Sequence, residues 1–150
     1  MVDIGEADAV PLGGKMLKIK IDTETFRVIS IFERVTRVQP KDCLITDSSI
    51  YFLIDKENIG VAIGKNGETA KKISRVLAKE VRLFEYSNDA ATLLKNLIPS
   101  AESIEIAGST AKFTIPAKSR YSVIGRAGKN INVVKELMER HCGVTELKFR

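Results

Sequence analysis

Cysteine and histidine are scarce in this chain of 150 residues, which contains two cysteines and one histidine. Cys43 and Cys142 are too few and too far apart in sequence for a disulfide framework, so we expect free thiols in a reducing cytoplasm. His141 precedes Cys142, and this pair alone supplies too few ligands for a metal site. Neighbours at a helix end also point apart, so a Cys–His catalytic pair is not expected.

Long apolar runs are missing as well. None approaches the roughly 20 residues that a membrane span needs, and residues 1–15 lack the basic-then-apolar pattern of a secretory signal. Hydrophobic residues still make up 44% of the chain, so a packed core is expected. The net charge of +5 favours a polyanionic partner, such as nucleic acid or an acidic membrane surface.

Hydrophobic periodicity divides the chain into two similar halves. The first half predicts a helix ending near Arg37, a hairpin over 43–54, a short helix over 56–63, a longer helix after 64–67, and a strand over 81–86. The second half predicts a helix ending before Pro99, a hairpin over 104–115, a short helix over 118–124, a helix ending near Arg140, and a strand over 144–149. The same order of elements therefore occurs twice, which indicates an internal duplication.

The duplication predicts an α+β protein of two small domains. Residues 1–16 have little hydrophobic periodicity and are expected to form a loose tail. The first domain is expected over 17–86 and the second over 87–150. Each domain of this size buries only about 60% of its unfolded surface. The join over 86–89 is too short for a flexible tether, so we expect the two domains to act as one rigid surface.

Each half carries a Gly-x-x-Gly sequence between its two predicted central helices, at Gly64–Gly67 and at Gly125–Gly128. The first glycine can adopt a positive φ that breaks a helix, and the second leaves room for a ligand backbone. Unpaired N–H groups at the start of the following helix favour an anion such as phosphate. Lys65 and Arg126 add a cation inside each loop. A single Gly-x-x-Gly is common and is usually only a turn, but two in matching contexts are specific.

The two motifs resemble the signatures of the KH family. They read Val-Ala-Ile-Gly-Lys-Asn-Gly over 61–67 and Ser-Val-Ile-Gly-Arg-Ala-Gly-Lys-Asn-Ile over 122–131. The order of elements resembles the prokaryotic (type II) KH fold, with a three-stranded sheet packed against helices in each domain. Two such domains in succession resemble the paired KH region of the NusA transcription factors, and of their short archaeal members in particular. This resemblance covers about residues 16–150.

The resemblance implies binding of single-stranded RNA, with a role in transcription elongation, termination or antitermination. A KH loop clamps the backbone of about four nucleotides, and bases lie in an apolar groove beside it. The residues expected to bind RNA are Ile63, Gly64, Lys65, Asn66, Gly67, Lys71, Lys72, Arg75, Ile124, Gly125, Arg126, Ala127, Gly128, Lys129 and Asn130. The alternative for the lysines and arginines of the helices is an ordinary solvated face. A monomer without a cofactor is expected.

Two other functions remain as alternatives, and a third is rejected. One or both domains are protein-interaction scaffolds, on RNA polymerase or on the ribosome, or the chain is a ribosome-associated KH protein that acts in translation. A nucleotide-hydrolysing P-loop is rejected, because Gly60 and Gly64 are separated by three residues instead of four. Asn66 also stands where a magnesium-binding hydroxyl would be required. No enzymatic activity is therefore expected.

Overall fold

The computed structural model describes residues 9–12, 15–18 and 23–150, and for the first two ranges only the backbone. Strands β1 (Ala9–Leu12) and β2 (Lys15–Lys18) pair antiparallel as a separate two-stranded sheet. Both strands fall at least partly within the segment expected to be a loose tail. The register pairs Ala9 with Lys18 and Leu12 with Lys15. The other residues of the expected tail lie outside the described residues.

The first module contains three helices and three strands. They are α1 (Thr23–Thr36), β3 (Asp42–Ile45), β4 (Ser49–Ile54), α2 (Lys56–Ile63), α3 (Glu68–Leu77) and β5 (Glu80–Glu85). Asp55 precedes α2 at the N-cap position, but its side chain makes no capping hydrogen bond. In the sheet, β4 is central, antiparallel to β3 and parallel to β5.

The second module repeats this order. It comprises α4 (Ala90–Leu97), β6 (Glu102–Ala107), β7 (Thr110–Thr114), α5 (Arg120–Ile124), α6 (Lys129–Cys142) and β8 (Glu146–Phe149). Strand β7 is central, antiparallel to β6 and parallel to β8. The predicted α+β class, with two three-stranded sheets packed against helices, is confirmed.

The first core lies between the helices of the first module and one face of its sheet. Val28 and Phe32 are four residues apart on α1, and Ile50 and Phe52 are two apart on β4, so each pair points in one direction. The rings of Phe32 and Phe52 stack with their centroids 4.1 Å apart. Ile73 of α3 completes this core and is fully buried.

The second core is shared by the two modules. Tyr51 and Leu53 alternate with the residues of the first core and point from β4 to the opposite face of the sheet. There they join a cluster with Leu94 of α4 and Leu137 of α6. The same cluster contains Phe113 of the second sheet, so α4 and α6 pack between the two sheets. Strand β4 is consequently buried along its whole length, which explains the uninterrupted apolar sequence that follows Ser49.

Candidate nucleic-acid interface

The first Gly-x-x-Gly loop turns the chain sharply between α2 and α3. Gly64 has φ +78° and donates its N–H to the carbonyl oxygen of Gly60 at 3.0 Å, which ends α2. Asn66 and Gly67 both have left-handed backbone conformations, with φ of +56° and +74°. Helix α3 then begins at Glu68.

The second loop has nearly the same backbone φ angles as the first. Gly125 has φ +79°, Ala127 +55° and Gly128 +76°. Each value lies within 2° of its counterpart 61 positions earlier. Because left-handed φ is costly for an alanine, the local structure must impose it at Ala127. The duplicated sequence therefore builds the same loop twice.

The two glycines of each loop are needed for different reasons. A Cβ atom on Gly64 would lie 2.2 Å from Oγ1 of Thr69, and one on Gly125 would lie 2.8 Å from Cγ of Asn130. The first glycine is therefore required by close packing as well as by its positive φ. The sequence predicted the positive φ but not the close packing. A Cβ atom on Gly67 would meet nothing within 4 Å, so this glycine leaves the space open. Its left-handed φ was not predicted from the sequence.

The helices that follow the loops begin without a side-chain cap. Neither α3 nor α6 has a side-chain hydrogen bond at its N-cap, where Gly67 and Gly128 stand. By contrast, Asp89 caps α4 by accepting a hydrogen bond from the N–H of Thr92 at 3.0 Å. The positive ends of the α3 and α6 dipoles therefore face the two loops without a side-chain cap, a geometry that suits phosphate, although α3 carries Glu68 in its first turn.

The cations of the first site are exposed. Lys65 and Asn66 lie at the tip of the first loop, and both are exposed. Lys71, Lys72 and Arg75, one to two turns into α3, line an open depression of about 530 Å³ together with Glu68 and Thr69. Ile63 at the end of α2 is 39% exposed and so presents an apolar surface beside the loop.

The cations of the second site are fewer. Arg126, Ala127 and Lys129 are exposed, whereas Ile124 is half-buried. Asn130 is also half-buried, and its Nδ2 donates to the carbonyl oxygen of Ser122 at 2.8 Å. Its Oδ1 accepts a hydrogen bond from the Tyr51 hydroxyl at 3.3 Å, so this amide ties the second loop to the first module.

The basic face of α3 has no counterpart on α6. The residues 61 positions after Lys71, Lys72 and Arg75 are Asn132, Val133 and Glu136. Val133 is buried, within the core shared by the modules. Asn132 and Glu136 are exposed, so the equivalent surface of α6 carries no cation at these three positions and is used for packing only at Val133.

A groove between the modules contains residues that sequence reasoning did not single out. Arg82 of β5 lies over two aromatic rings, with its Cζ 5.7 Å from the centroid of Tyr51 and 5.5 Å from that of Phe84. The groove has a volume of about 300 Å³. The alternation of Arg82 and Phe84 along β5 could have indicated a shared face, but nothing in the sequence identified the second module as the opposite wall.

Tyr121 is a second residue that sequence reasoning missed. It is 77% exposed and lies on α5, four residues before Gly125. The corresponding residue of the first module is Gly60. A tyrosine four residues before the loop, where the other half of the chain has glycine, is a signal that the sequence alone could have provided.

His141 contacts an acidic residue and an aromatic ring of the first module, and Cys142 is a half-buried free thiol. Nε2 of His141 lies 2.8 Å from a carboxylate oxygen of Asp42, and its ring meets that of Tyr86 edge-on. Burial raises the pKa of the Cys142 thiol, and the charge of Asp89 raises it further. Within residues 23–150, no three His, Cys, Asp or Glu side chains cluster as metal ligands would.

None of the helices in the described ranges combines the length and the apolar character that crossing a membrane requires.

Comparison with known proteins identifies the class of this fold. A family model described as the KH domain matches residues 27–98. This match spans the first module, with its loop at Gly64–Gly67, and continues through α4. The fold and the loop thus define a KH-domain protein.

Several archaeal proteins named "Probable transcription termination protein NusA" resemble the chain over most of its length. The protein from Methanococcus vannielii is 31% identical over 140 residues, which cover 88% of this chain and 80% of the relative. That from Methanocaldococcus jannaschii is 29% identical over 89% of this chain and 76% of the relative. The solved structure of APE1850 is 25% identical, with a TM-score of 0.68 over 87% of this chain and all of its own. The chain belongs to the archaeal NusA-like family.

Proposed function

We propose that this chain binds single-stranded RNA through two type II KH modules and acts in transcription termination and the control of elongation, without catalysing a reaction. The type II assignment is supported by the order helix, two strands, two helices and strand in each module, and by the parallel pairing of the last strand with the central one. The role in transcription is supported by the names of the archaeal relatives.

The observation that carries the RNA-binding proposal is the repeated loop conformation ahead of two helices without carboxylate caps. Phosphates lie against the backbone N–H groups of each loop, beside Lys65 in the first module and Arg126 in the second. Ile63 and Ile124 offer apolar surface for the bases. Lys71, Lys72 and Arg75 extend the first site along α3.

The modules act as one surface because they share a core. Tyr51 and Leu53 of the first module are buried against α4 and α6 of the second. The spacing of the loops is therefore fixed, and one RNA strand can cross both without the entropy cost of ordering a linker. Each loop covers about four nucleotides, so strands of about eight or more should bind far more tightly than strands of about four.

The loops are tested by reversing their charge. Lys65→Asp with Asn66→Asp alters the first loop, and Arg126→Asp with Ala127→Asp alters the second. All four side chains are exposed, and Asp tolerates the left-handed φ at positions 66 and 127. Either variant should lose most of the affinity that the wild type gains from longer RNA.

A matched control introduces the same charge change away from both loops. Arg34→Asp with Gln39→Asp replaces two exposed residues at and after the end of α1. This variant should bind long RNA more tightly than either loop variant, because it has the same net charge and keeps both loops intact. Equal affinity of both loop variants and the control for single-stranded RNA would exclude the loops as the binding site.

The cellular role is tested by in vitro transcription with the cognate RNA polymerase, the one from the organism that produces this protein. Wild-type protein should change pausing or termination, and the loop variants should have lost this effect. If neither pausing nor termination changes and the protein co-sediments with ribosomes, the result would favour a role in translation over one in transcription.

A further inference from the structure

The groove between the modules is a third place where RNA can bind, separate from the two loops. We infer that it holds one nucleotide of the strand that passes between the loops, with the guanidinium of Arg82 as the phosphate ligand. This inference rests on the proposed RNA-binding function. It assigns a role to Arg82, Tyr51 and Phe84, none of which belongs to a Gly-x-x-Gly motif.

Arg82 lies where the two modules meet, on the face of β5 that is turned toward the second module. Strand β5 is the edge strand of the first sheet and packs against α2, the helix that leads into the first loop. Val81 and Leu83 of this strand pack against the first core. Arg82 and Phe84 point to the other face, into a groove whose opposite wall includes Ser122 and Asn130, which flank the second loop. The groove therefore adjoins the second loop, and on the first module it is bounded by β4 and β5, on the face of the sheet opposite to α2.

The chemistry of the groove suits an anion. Its lining contains no carboxylate, and its polar groups include the hydroxyls of Ser100, Ser119 and Ser122. Arg82 is half-buried, and no acidic side chain within residues 23–150 forms an ion pair with it. A partly desolvated cation without an acidic partner favours an anionic ligand. A guanidinium can also bind phosphate through two parallel hydrogen bonds.

Two aromatic rings hold the guanidinium in place. The rings of Tyr51 and Phe84 are nearly parallel, with centroids 6.3 Å apart, and Arg82 lies within 6 Å of both. Tyr51 is itself fixed by its hydrogen bond to Asn130. The cation is thus oriented before a ligand arrives, which lowers the entropy cost of binding. A volume of about 300 Å³ is at the lower end of the range for small-ligand sites, and it suits one nucleotide.

The test replaces Arg82 and varies both RNA length and salt. Arg82→Met keeps an apolar stem on the two rings and removes the charge, and Arg82→Lys keeps the charge but lacks the planar fork that gives two parallel hydrogen bonds. Arg34→Met removes one exposed arginine of α1, outside the groove, as the matched control. Thermal unfolding of each variant checks the fold, and Arg82→Gln replaces Arg82→Met if the latter is unstable.

The expected result depends on the length of the RNA. With a strand of roughly 12 nucleotides, long enough for both loops, Arg82→Met should lower the affinity about 10-fold, and Arg82→Lys should lower it less. The slope of log affinity against log salt should fall by about one phosphate contact. With a strand of about four nucleotides, which one loop accommodates, the affinity should not change.

Two outcomes would overturn the inference while leaving the loops in place. One is unchanged affinity and salt slope for Arg82→Met on long RNA, in an experiment where the loop variants do weaken binding. The other is an equal loss on short and long RNA, which would make Arg82 a general structural or electrostatic residue. If neither the loop variants nor Arg82→Met weakens binding, the proposed function fails together with this inference.

Discussion

Asp42 of β3 and Arg140 of α6 form an ion pair between the two modules, with Nη1 of the arginine 3.1 Å from the carboxylate. The same carboxylate lies 2.8 Å from Nε2 of His141. Tyr86, which contacts the His141 ring, also lies under the ammonium group of Lys41 at 4.9 Å. These contacts join the modules at the edge of their shared apolar core, and they involve residues nearly 100 positions apart in sequence.

We expect Asp42→Asn to destabilise the protein by about 1–2 kcal/mol. The substitution removes a charged partner of Arg140 and His141, and hydrogen bonds to charged groups are the stronger ones. Urea denaturation followed by circular dichroism measures the change. Glu136→Gln is the control, because it removes a more exposed partner of Arg140 on the same helix, which should cost about 0.5 kcal/mol or less. Equal effects of the two substitutions would contradict the importance of the inter-module contact.

The Asp42 contact also predicts loss of stability in acid. Burial raises the pKa of this carboxyl, but the hydrogen bond from His141, the charge of Arg140 and the N–H of Cys43 outweigh burial, so that its pKa lies below the ordinary value. A carboxyl with a lowered folded pKa stabilises the protein above its unfolded pKa of about 3.9 and loses this contribution as the pH falls further. The difference in unfolding free energy between wild type and Asp42→Asn should therefore shrink below about pH 4. A difference that stays constant down to pH 2 would contradict this.

The two cysteines should react with thiol reagents at very different rates. Burial, and then the charge of Asp42, raise the pKa of the Cys43 thiol to about 12. The thiolate fraction of Cys43 at pH 8 is then about one in ten thousand, and its access is blocked as well. Cys142 is half-buried and should react first. In a Cys142→Ala variant, labelling of Cys43 should follow global unfolding as urea is raised, and rapid labelling in native buffer would contradict the prediction.

The glycines of the first loop should differ in their tolerance of alanine. Gly64→Ala has an unfavourable left-handed φ, and its Cβ atom also clashes with Thr69. A smaller side chain at position 69 would not remove this clash, because the backbone nitrogen of Thr69 would still lie 2.8 Å from the Cβ atom. Gly67→Ala suffers only the unfavourable φ, which costs about 1–2 kcal/mol. Gly67→Asn should cost less than Gly67→Ala, because asparagine tolerates this conformation. Thermal unfolding should therefore rank Gly64→Ala as the least stable of the three, and any other ranking contradicts the loop geometry.

Local sequence signals predict the elements and the loops of this protein well. The order of helices and strands follows from periodicity, and the duplicated Gly-x-x-Gly predicts where two identical turns occur. Contacts between modules are not predicted, because they depend on which strand faces meet. The apolar run of β4 indicates a strand buried on both faces, but it does not identify α4 and α6 as the second cover. Arg82 and the Asp42–Arg140 pair were missed for the same reason.

The two sheets differ in the face that is turned away from the helices of their own module. Tyr51 and Leu53 of β4 face the second module, whereas the residues 61 positions later on β7 are Lys112 and Thr114. A sheet face with lysine and threonine has little apolar surface to bury against another pair of helices. The equivalent face therefore serves as the packing surface in the first module and as a solvated surface in the second.

This difference predicts that the two modules unfold together and that their stability depends on Leu53. Leu53 is 1% exposed, and its removal leaves a cavity in the shared core, so Leu53→Ala should cost about 2–5 kcal/mol. Thr114→Ala at the matching position of β7 removes a partly exposed hydroxyl that donates to the carbonyl oxygen of Glu102 at 3.2 Å, and it should cost about 1 kcal/mol or less. Amide hydrogen exchange should show that Leu53→Ala lowers protection equally in β4 and β7, because the core that holds them is common. Loss of protection in β4 alone would mean that the modules unfold separately and that the distance between the loops is not fixed.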